Sequence, residues 1–229
     1  GAITHAGTSA AETLTGDTAA NVMMADQGDD TVIGGGGEDV IHAATGDDTI
    51  RISDTTFARI DGGSGTDTLA LDGSGITLDL TAIANNKVTA IETIDLSGSG
   101  NNTLVLDVLE VLNLSDTSNS LTVTGDPSDV VYVDPNWEIG TSASIGDTTY
   151  RHFTQGAAKL LVEIDVRLGL ALPDGSGPWT ISMDASDLLV TDGSDTLRLP
   201  AATTPELLVR GTNDADSIVV GPLVSEFSG

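Results

Sequence analysis

From Gly7 to Arg51 an apolar side chain returns at every ninth residue: Leu14, Met23, Val32, Ile41 and Ile50. A helix repeats its apolar face every three or four residues and an alternating strand every two, so neither explains this period. A nine-residue unit reads as one tight turn plus one short strand, and repetition at a fixed period marks a solenoid. Cut from Gly7, the units are GTSAAETLT, GDTAANVMM, ADQGDDTVI, GGGGEDVIH and AATGDDTIR. After an interruption at residues 52–61 the pattern returns in GGSGTDTLA (62–70), with Asp67 and Leu69. Position six of each unit carries oxygen: Glu12, Asn21, Asp30, Asp39, Asp48. Two units complete one coil, so turns on one edge lie 18 residues apart and stack at the strand spacing of about 4.8 Å. Asp30 then faces Asp48, and Asn21 faces Asp39.

Beyond residue 70 glycine thins out while alternation persists, as in Ile76-Thr77-Leu78-Asp79-Leu80. Apolar positions recur near every ninth residue at Leu104, Leu112, Leu121 and Val131, each two residues after Asn102, Glu110, Asn119 and Asp129. This predicts the same coil continued without metal, its turns satisfied by amide and hydroxyl groups. TYRHFTQGAAKLLVEIDV (149–166) predicts a hairpin turning at Gly-Ala-Ala, and further strands are expected around 179–183, 188–190, 197–199 and 207–209. In GTNDADSIV (211–219), Asp216 and Ile218 return to positions six and eight, and SEFSG reads as a disordered tail. The expected fold class is all-β, a parallel β-roll or β-helix (a right-handed solenoid) with a C-terminal β-hairpin cap. Four segments are expected: a metal-binding roll at 7–70, a metal-poor solenoid at 71–135, a hairpin cap at 136–168, and a further β segment and tail at 169–229.

Composition sharpens this picture. Aromatics make up only 3% of the chain against 27 glycines, so the core must be thin and built from Val, Ile, Leu and Ala. The formal charge is −27, and 27 of the 35 acids are Asp, the short residue suited to turns and to oxygen coordination. Such charge argues against nucleic acid or anionic membranes as partners. A solvated acidic surface is the bland alternative. With no cysteine, disulfides and thiolate metal sites are excluded. No apolar run of about 18 residues exists to span a membrane. The start, Gly1-Ala2-Ile3-Thr4-His5, is not a cleavable signal peptide, and the chain reads as a fragment.

Carboxylates stacked one strand apart repel unless a cation lies between them. A hard ion with six or more oxygen ligands fits such turns, because tight turns also present backbone carbonyls. Zinc or copper would want His or Cys, which do not recur here. Calcium is the indicated metal; a metal-free solenoid whose Asp residues merely cap turns is the alternative.

GGGGEDVIH and GGSGTDTLA resemble the haemolysin-type nonapeptide of RTX proteins, G-G-x-G-x-D-x-U-x. The resemblance implies ions held between successive turns by carbonyls and position-six carboxylates. One site would join Asp26, Gly28 and Asp30 to Ala43, Thr45 and Asp48. A second would join Asp17, Ala19 and Asn21 to Gly34, Gly36 and Asp39. A third, across the interruption, would join Gly35, Gly37 and Asp39 to Gly62, Ser64 and Asp67. Only two units carry the full glycine set, and Glu12 and Asn21 depart from Asp, so the first turns should bind weakly or not at all. The stretch from Ile60 to Asn119 and the hairpin at 149–166 resemble the C-terminal region of very large bacterial RTX adhesins. That resemblance implies type I secretion and a place outside the cell, secreted or at the bacterial surface.

No catalytic reading competes well. His5, His42 and His152 are scattered, no nucleophile elbow, zinc helix or phosphate loop appears, and the period assigns the aspartates to turns. Asp192 and Asp195 read as an exposed acidic turn rather than a cation site. The function expected is therefore a calcium-triggered folding and export module and not an enzyme. The alternatives are a module binding a glycan, peptide or cell-surface ligand, with Tyr132, Trp137 and Trp179 as a stacking patch, and the repeat tail of a secreted protease or lipase.

Overall fold

In the computed structural model the short apolar segments become short strands. The structure describes residues 2–115 and 118–171, and beyond them the backbone of five strands between 180 and 220. The first coils run β1 (His5–Ala6), β2 (Thr13–Thr15), β3 (Val22–Met24), β4 (Thr31–Ile33), β5 (Val40–Thr45), β6 (Thr49–Ile52), β7 (Arg59–Ser64) and β8 (Thr68–Leu71). Odd strands pair in parallel to form one sheet and even strands the other. Leu14 lies beside Val32, Val32 beside Ile50, and Met23 beside Ile41, each one 18-residue coil apart. The position-eight side chains Met23, Val32, Ile41, Ile50, Ile60 and Leu69 are no more than 1% exposed between the two sheets. Burying one such side chain is worth roughly 1.5–3 kcal/mol, too little for a nine-residue unit to stand alone. On the outer face of the even sheet, Thr13, Thr31, Thr49 and Thr68 line up in register, a β-branched row suited to a half-exposed strand surface.

Tight turns on both edges demand an unusual backbone. Position two has positive φ at Asp26 (82°), Gly35 (85°), Ala44 (85°) and Gly63 (105°), and position four at Gly28, Gly37, Gly46 and Gly65 (100–145°). Glycine takes these values freely, whereas Asp26 and Ala44 are strained there.

After β8 the coil widens. The chain adds β9 (Thr77–Asp79), β10 (Val88–Thr89), β11 (Thr93–Asp95), β12 (Thr103–Val105), the helix α1 (Val108–Leu114), β13 (Ser120–Thr124) and β14 (Val130–Val133). β10 extends the odd sheet, β11 and β13 extend the even sheet, and β9, β12 and β14 found a third one. Leu69 pairs with Ile94 and Ile94 with Val123, so each coil now takes 25 to 29 residues. The roll has become a three-sided β-helix on one continuous core.

The expectation of a strand around Leu112 fails. Residues 108–114 are helical, with Asp107 Oδ1 accepting from the N–H of Leu109 (2.7 Å) and Glu110 (3.3 Å). An acidic N-cap followed by buried residues at 110, 111 and 114 fits the helical period better than the near-nine spacing does.

Next come β15 (Glu138–Ile139), β16 (Ala143–Ile145), β17 (Thr148–Gln155), β18 (Ala158–Glu163) and β19 (Arg167–Ala171). β17 and β18 form an antiparallel hairpin about Gly156-Ala157, and β18 also stacks in parallel on β13 as a further rung. Buried Arg151 ties the following turn together through the carbonyls of Val166 (2.9 Å) and Ile164 (2.7 Å). Trp137 is 2% exposed in the core, so it offers no stacking surface, and Trp179 lies outside the described residues. So do Asp192, Asp195, Asp216 and the SEFSG segment.

Three more strands, β20 (Thr180–Asp184), β21 (Asp187–Thr191) and β22 (Thr196–Pro200), form an antiparallel sheet. β23 (Leu207–Arg210) pairs with β19 and β24 (Ser217–Val220) with β23.

The backbone pattern gives a paired test. Replacing Ala44 by Gly relieves a positive φ and should stabilise the chain by roughly 1 kcal/mol in urea unfolding. Replacing Gly46 by Ala should destabilise it, because φ is 136° and the new Cβ would collide with the Gly28 carbonyl.

Candidate metal centre

The turns sort onto two edges. Those at 7–12, 25–30, 43–48 and 62–67 precede β2, β4, β6 and β8, and stack on the first edge; those at 16–21, 34–39 and 53–58 precede β3, β5 and β7, and stack on the second. On the first edge Asp30, Asp48 and Asp67 are buried, at 2%, 1% and 0% exposure. One carboxylate oxygen of each reaches back a coil. The Glu12 N–H donates to Asp30 Oδ1 (2.8 Å), the Asp30 N–H to Asp48 Oδ1 (2.7 Å), and the Asp48 N–H to Asp67 Oδ1 (2.9 Å).

The other oxygen of all three, Oδ2, is buried without a hydrogen-bond partner. A buried polar atom in that state carries its desolvation cost uncompensated, and an ionised one carries more. Burial, with repulsion from Asp30, Asp29 and Asp47, raises the Asp48 pKa above the usual carboxylate range. Burial, with repulsion from Asp48, Glu92 and Asp47, pushes Asp67 up to about 7.

The second edge holds Asn21 and Asp39. The Asn21 N–H donates to Asp39 Oδ1 (2.8 Å), while Asn21 Oδ1 turns back to accept from the Asp17 N–H (2.9 Å). Burial raises the Asp39 pKa, with Asp54 and Asp17 adding repulsion. The Asp17 and Ala19 carbonyls face the next turn so closely that a Cβ on Gly35 or Gly37 would lie 3.0 Å or 2.8 Å away. On the first edge the Asp26 carbonyl accepts from Thr45 N–H (3.0 Å) and the Thr45 carbonyl from Gly28 N–H (2.9 Å), each keeping a second lone pair.

The structure therefore stacks the turn carrying Asp26, Gly28 and Asp30 on that of Ala43, Thr45 and Asp48. It likewise stacks Asp17, Ala19 and Asn21 on Gly34, Gly36 and Asp39. The third expected set is not assembled. Gly35, Gly37 and Asp39 lie on the second edge, whereas Gly62, Ser64 and Asp67 lie on the first, above Ala43, Thr45 and Asp48.

The reason is that residues 52–61 are a ten-residue rung rather than an interruption. Ile60 fills the apolar position, Ala58 stands opposite Asp39 where a ladder carboxylate would be, and Phe57 beside it is buried at 3% exposure. The sequence held the signal, since Ile41 to Ile60 and Ile50 to Leu69 are both 19 residues, one beyond the regular coil. The resulting pair, Asp48 and Asp67, was not foreseen.

Among the described residues no three His, Cys, Asp or Glu side chains gather into a cage. A cation between these turns would thus complete its shell from backbone oxygens, as hard divalent ions do. Orphaned carboxylate oxygens facing such turns fit that group.

Further along, the same ladder is complete without one. Asp129 Oδ1 accepts from Asn102 N–H and its Oδ2 from Asp126 N–H, both at 2.8 Å. Asn102 accepts from the Ile76 N–H (2.9 Å) and donates to the carbonyls of Gly73 (3.1 Å) and Leu96 (3.0 Å).

Comparison with known protein families picks out the first coils. The family model of the RTX calcium-binding nonapeptide repeat matches residues 7–50 in four copies. No curated protein and no solved structure matches the chain.

The raised carboxyls set a pH dependence for the metal-free protein. Asp67 binds its proton more tightly folded than unfolded, so the stability it confers is full below the unfolded pKa of 3.8 and is lost as pH rises towards about 7. In chelator, whatever β signal circular dichroism records should therefore be smaller at pH 8 than at pH 5, and Asp67→Asn should flatten the difference.

Proposed function

Taking residues 7–50 as RTX calcium-binding nonapeptide repeats, we propose that the chain is a calcium-dependent folding module that works outside the cell. The observation that carries this reading is the column of buried, unpartnered Oδ2 atoms on Asp30, Asp48 and Asp67.

The residues that would hold calcium follow from the stacking. Asp30 and Asp48 would act with the carbonyls of Asp26, Gly28, Ala43 and Thr45. Asp48 and Asp67 would act with those of the turn beginning Gly62 and Ser64. On the second edge Asn21 and Asp39 would act with the carbonyls of Asp17, Ala19, Gly34 and Gly36. Calcium, when bound, supplies the positive charge and oxygen coordination that these groups lack.

Without it, the stacked carboxylates and a net charge of −27 oppose compaction, which keeps the chain extended for passage through a type I secretion channel. Folding outside, at millimolar calcium, needs sites of only about 10⁻⁴–10⁻³ M. Metal-binding free energy then appears as folding free energy. The resemblance of residues 60–119 and of the 149–166 hairpin to adhesin C-termini favours a cell-surface setting. We read no catalytic role, because the buried carboxylates of the roll, Asp30, Asp39, Asp48 and Asp67, are engaged in the turn ladder.

Calcium titration followed by circular dichroism in chelator-treated buffer tests this. β signal should grow with calcium, and Asp48→Ala, which touches two stacked pairs, should raise the midpoint more than Asp39→Ala does. Asp129→Asn should leave the midpoint in place. An unmoved midpoint for Asp48→Ala would contradict the ligand assignment.

A further inference from the structure

The helix α1 buries a carboxylate that the metal ladder does not use. Glu110 is 7% exposed beside Val111 and Leu114, which anchor the helix in the core. Its backbone N–H reaches Asp107, but its carboxylate accepts no hydrogen bond from any described residue.

The charges that face it are all negative. Asp107, the helix N-cap, and Asp79, at the end of β9, both repel it, and Asp134 after β14 faces Asp107 in turn. Of the strands packed on α1, β10 and β13 carry no charged residue. β18 carries Lys159, which is exposed, and Glu163, whose Oε2 accepts from the Gly125 N–H (3.1 Å). Among the described residues, the side chains that act on the Glu110 charge are Asp107 and Asp79, both negative. α1 is short, seven residues or about two turns, and Glu110 shares its buried face with Val111 and Leu114 alone.

We propose that Glu110 is a pH-sensitive catch on α1: protonated, it lets the helix dock against the coil, and ionised among Asp79 and Asp107 it loosens the helix while the neighbouring rungs persist. Burial first, then Asp107 and Asp79, push its pKa up to about 7, which places the change near neutral pH. The sign follows from linkage: the docked state is favoured below the ordinary value of 4.5 and loses that advantage as pH rises towards 7. This inference stands apart from the calcium reading, since none of these groups belongs to the stacked turns.

Hydrogen exchange of the 108–114 amides, corrected for intrinsic rates, tests it in the full chain at saturating calcium. Protection should fall at least tenfold between pH 6 and pH 8.5, and Glu110→Gln should hold it constant. Equal protection at both pH values, or an undiminished pH effect in Glu110→Gln, would overturn the proposal. Carboxyl NMR of the unaltered protein gives a second check: titration of Glu110 near the ordinary value of 4.5 would overturn it without any variant.

Discussion

Three carboxylates, Asp30, Asp48 and Asp67, are stacked at strand spacing inside the edge of the roll, each with one oxygen hydrogen-bonded and the other left without a partner. The strand ladder fixes their positions, because every position-eight side chain must face the core. The six-residue turns then have nowhere to direct position six except inward. An arrangement that hydrogen bonds alone leave incomplete is one that a bound cation would complete. The glycines, the short strands and the acidic composition all follow from building turns tight enough to present such a column.

The second half of the chain shows what the same fold does without that dependence. Asp129 and Asn102 occupy equivalent places on the turn ladder, yet every oxygen of theirs has a donor within the chain. Longer loops supply those donors and also lengthen the coil to 25–29 residues, which opens the third side. Roll and β-helix are thus one architecture with two ways of satisfying its turns. Glu92, whose Oε2 accepts from the Asp67 N–H (2.9 Å), marks the changeover.

Much of this was legible in the residues. The period of nine gave the rungs, the 18-residue register and the pairs Asp30–Asp48 and Asn21–Asp39, because backbone geometry permits few other readings of so regular a pattern. Where spacing became irregular, legibility fell. Residues 52–61 looked like a break because Ala58 stands where the ladder carboxylate would be, and the miscount put Asp67 on the wrong edge. Leu112 matched the near-nine spacing by coincidence, while the N-cap Asp107 and the apolar face of α1 carried the stronger, local signal. The orphaned Oδ2 atoms lay beyond sequence reasoning altogether, since a residue's type says nothing about which of its two oxygens finds a donor.

Crystals of the full chain grown in calcium, with anomalous difference maps collected at long wavelength, put the central claim to its most direct test. The account predicts ion peaks on the first edge between Asp30 and Asp48 and between Asp48 and Asp67, each within about 2.3–2.6 Å of the oxygens that lack donors. Carboxylates still buried in the same places, with no peak beside them and no other cation in contact, would contradict it.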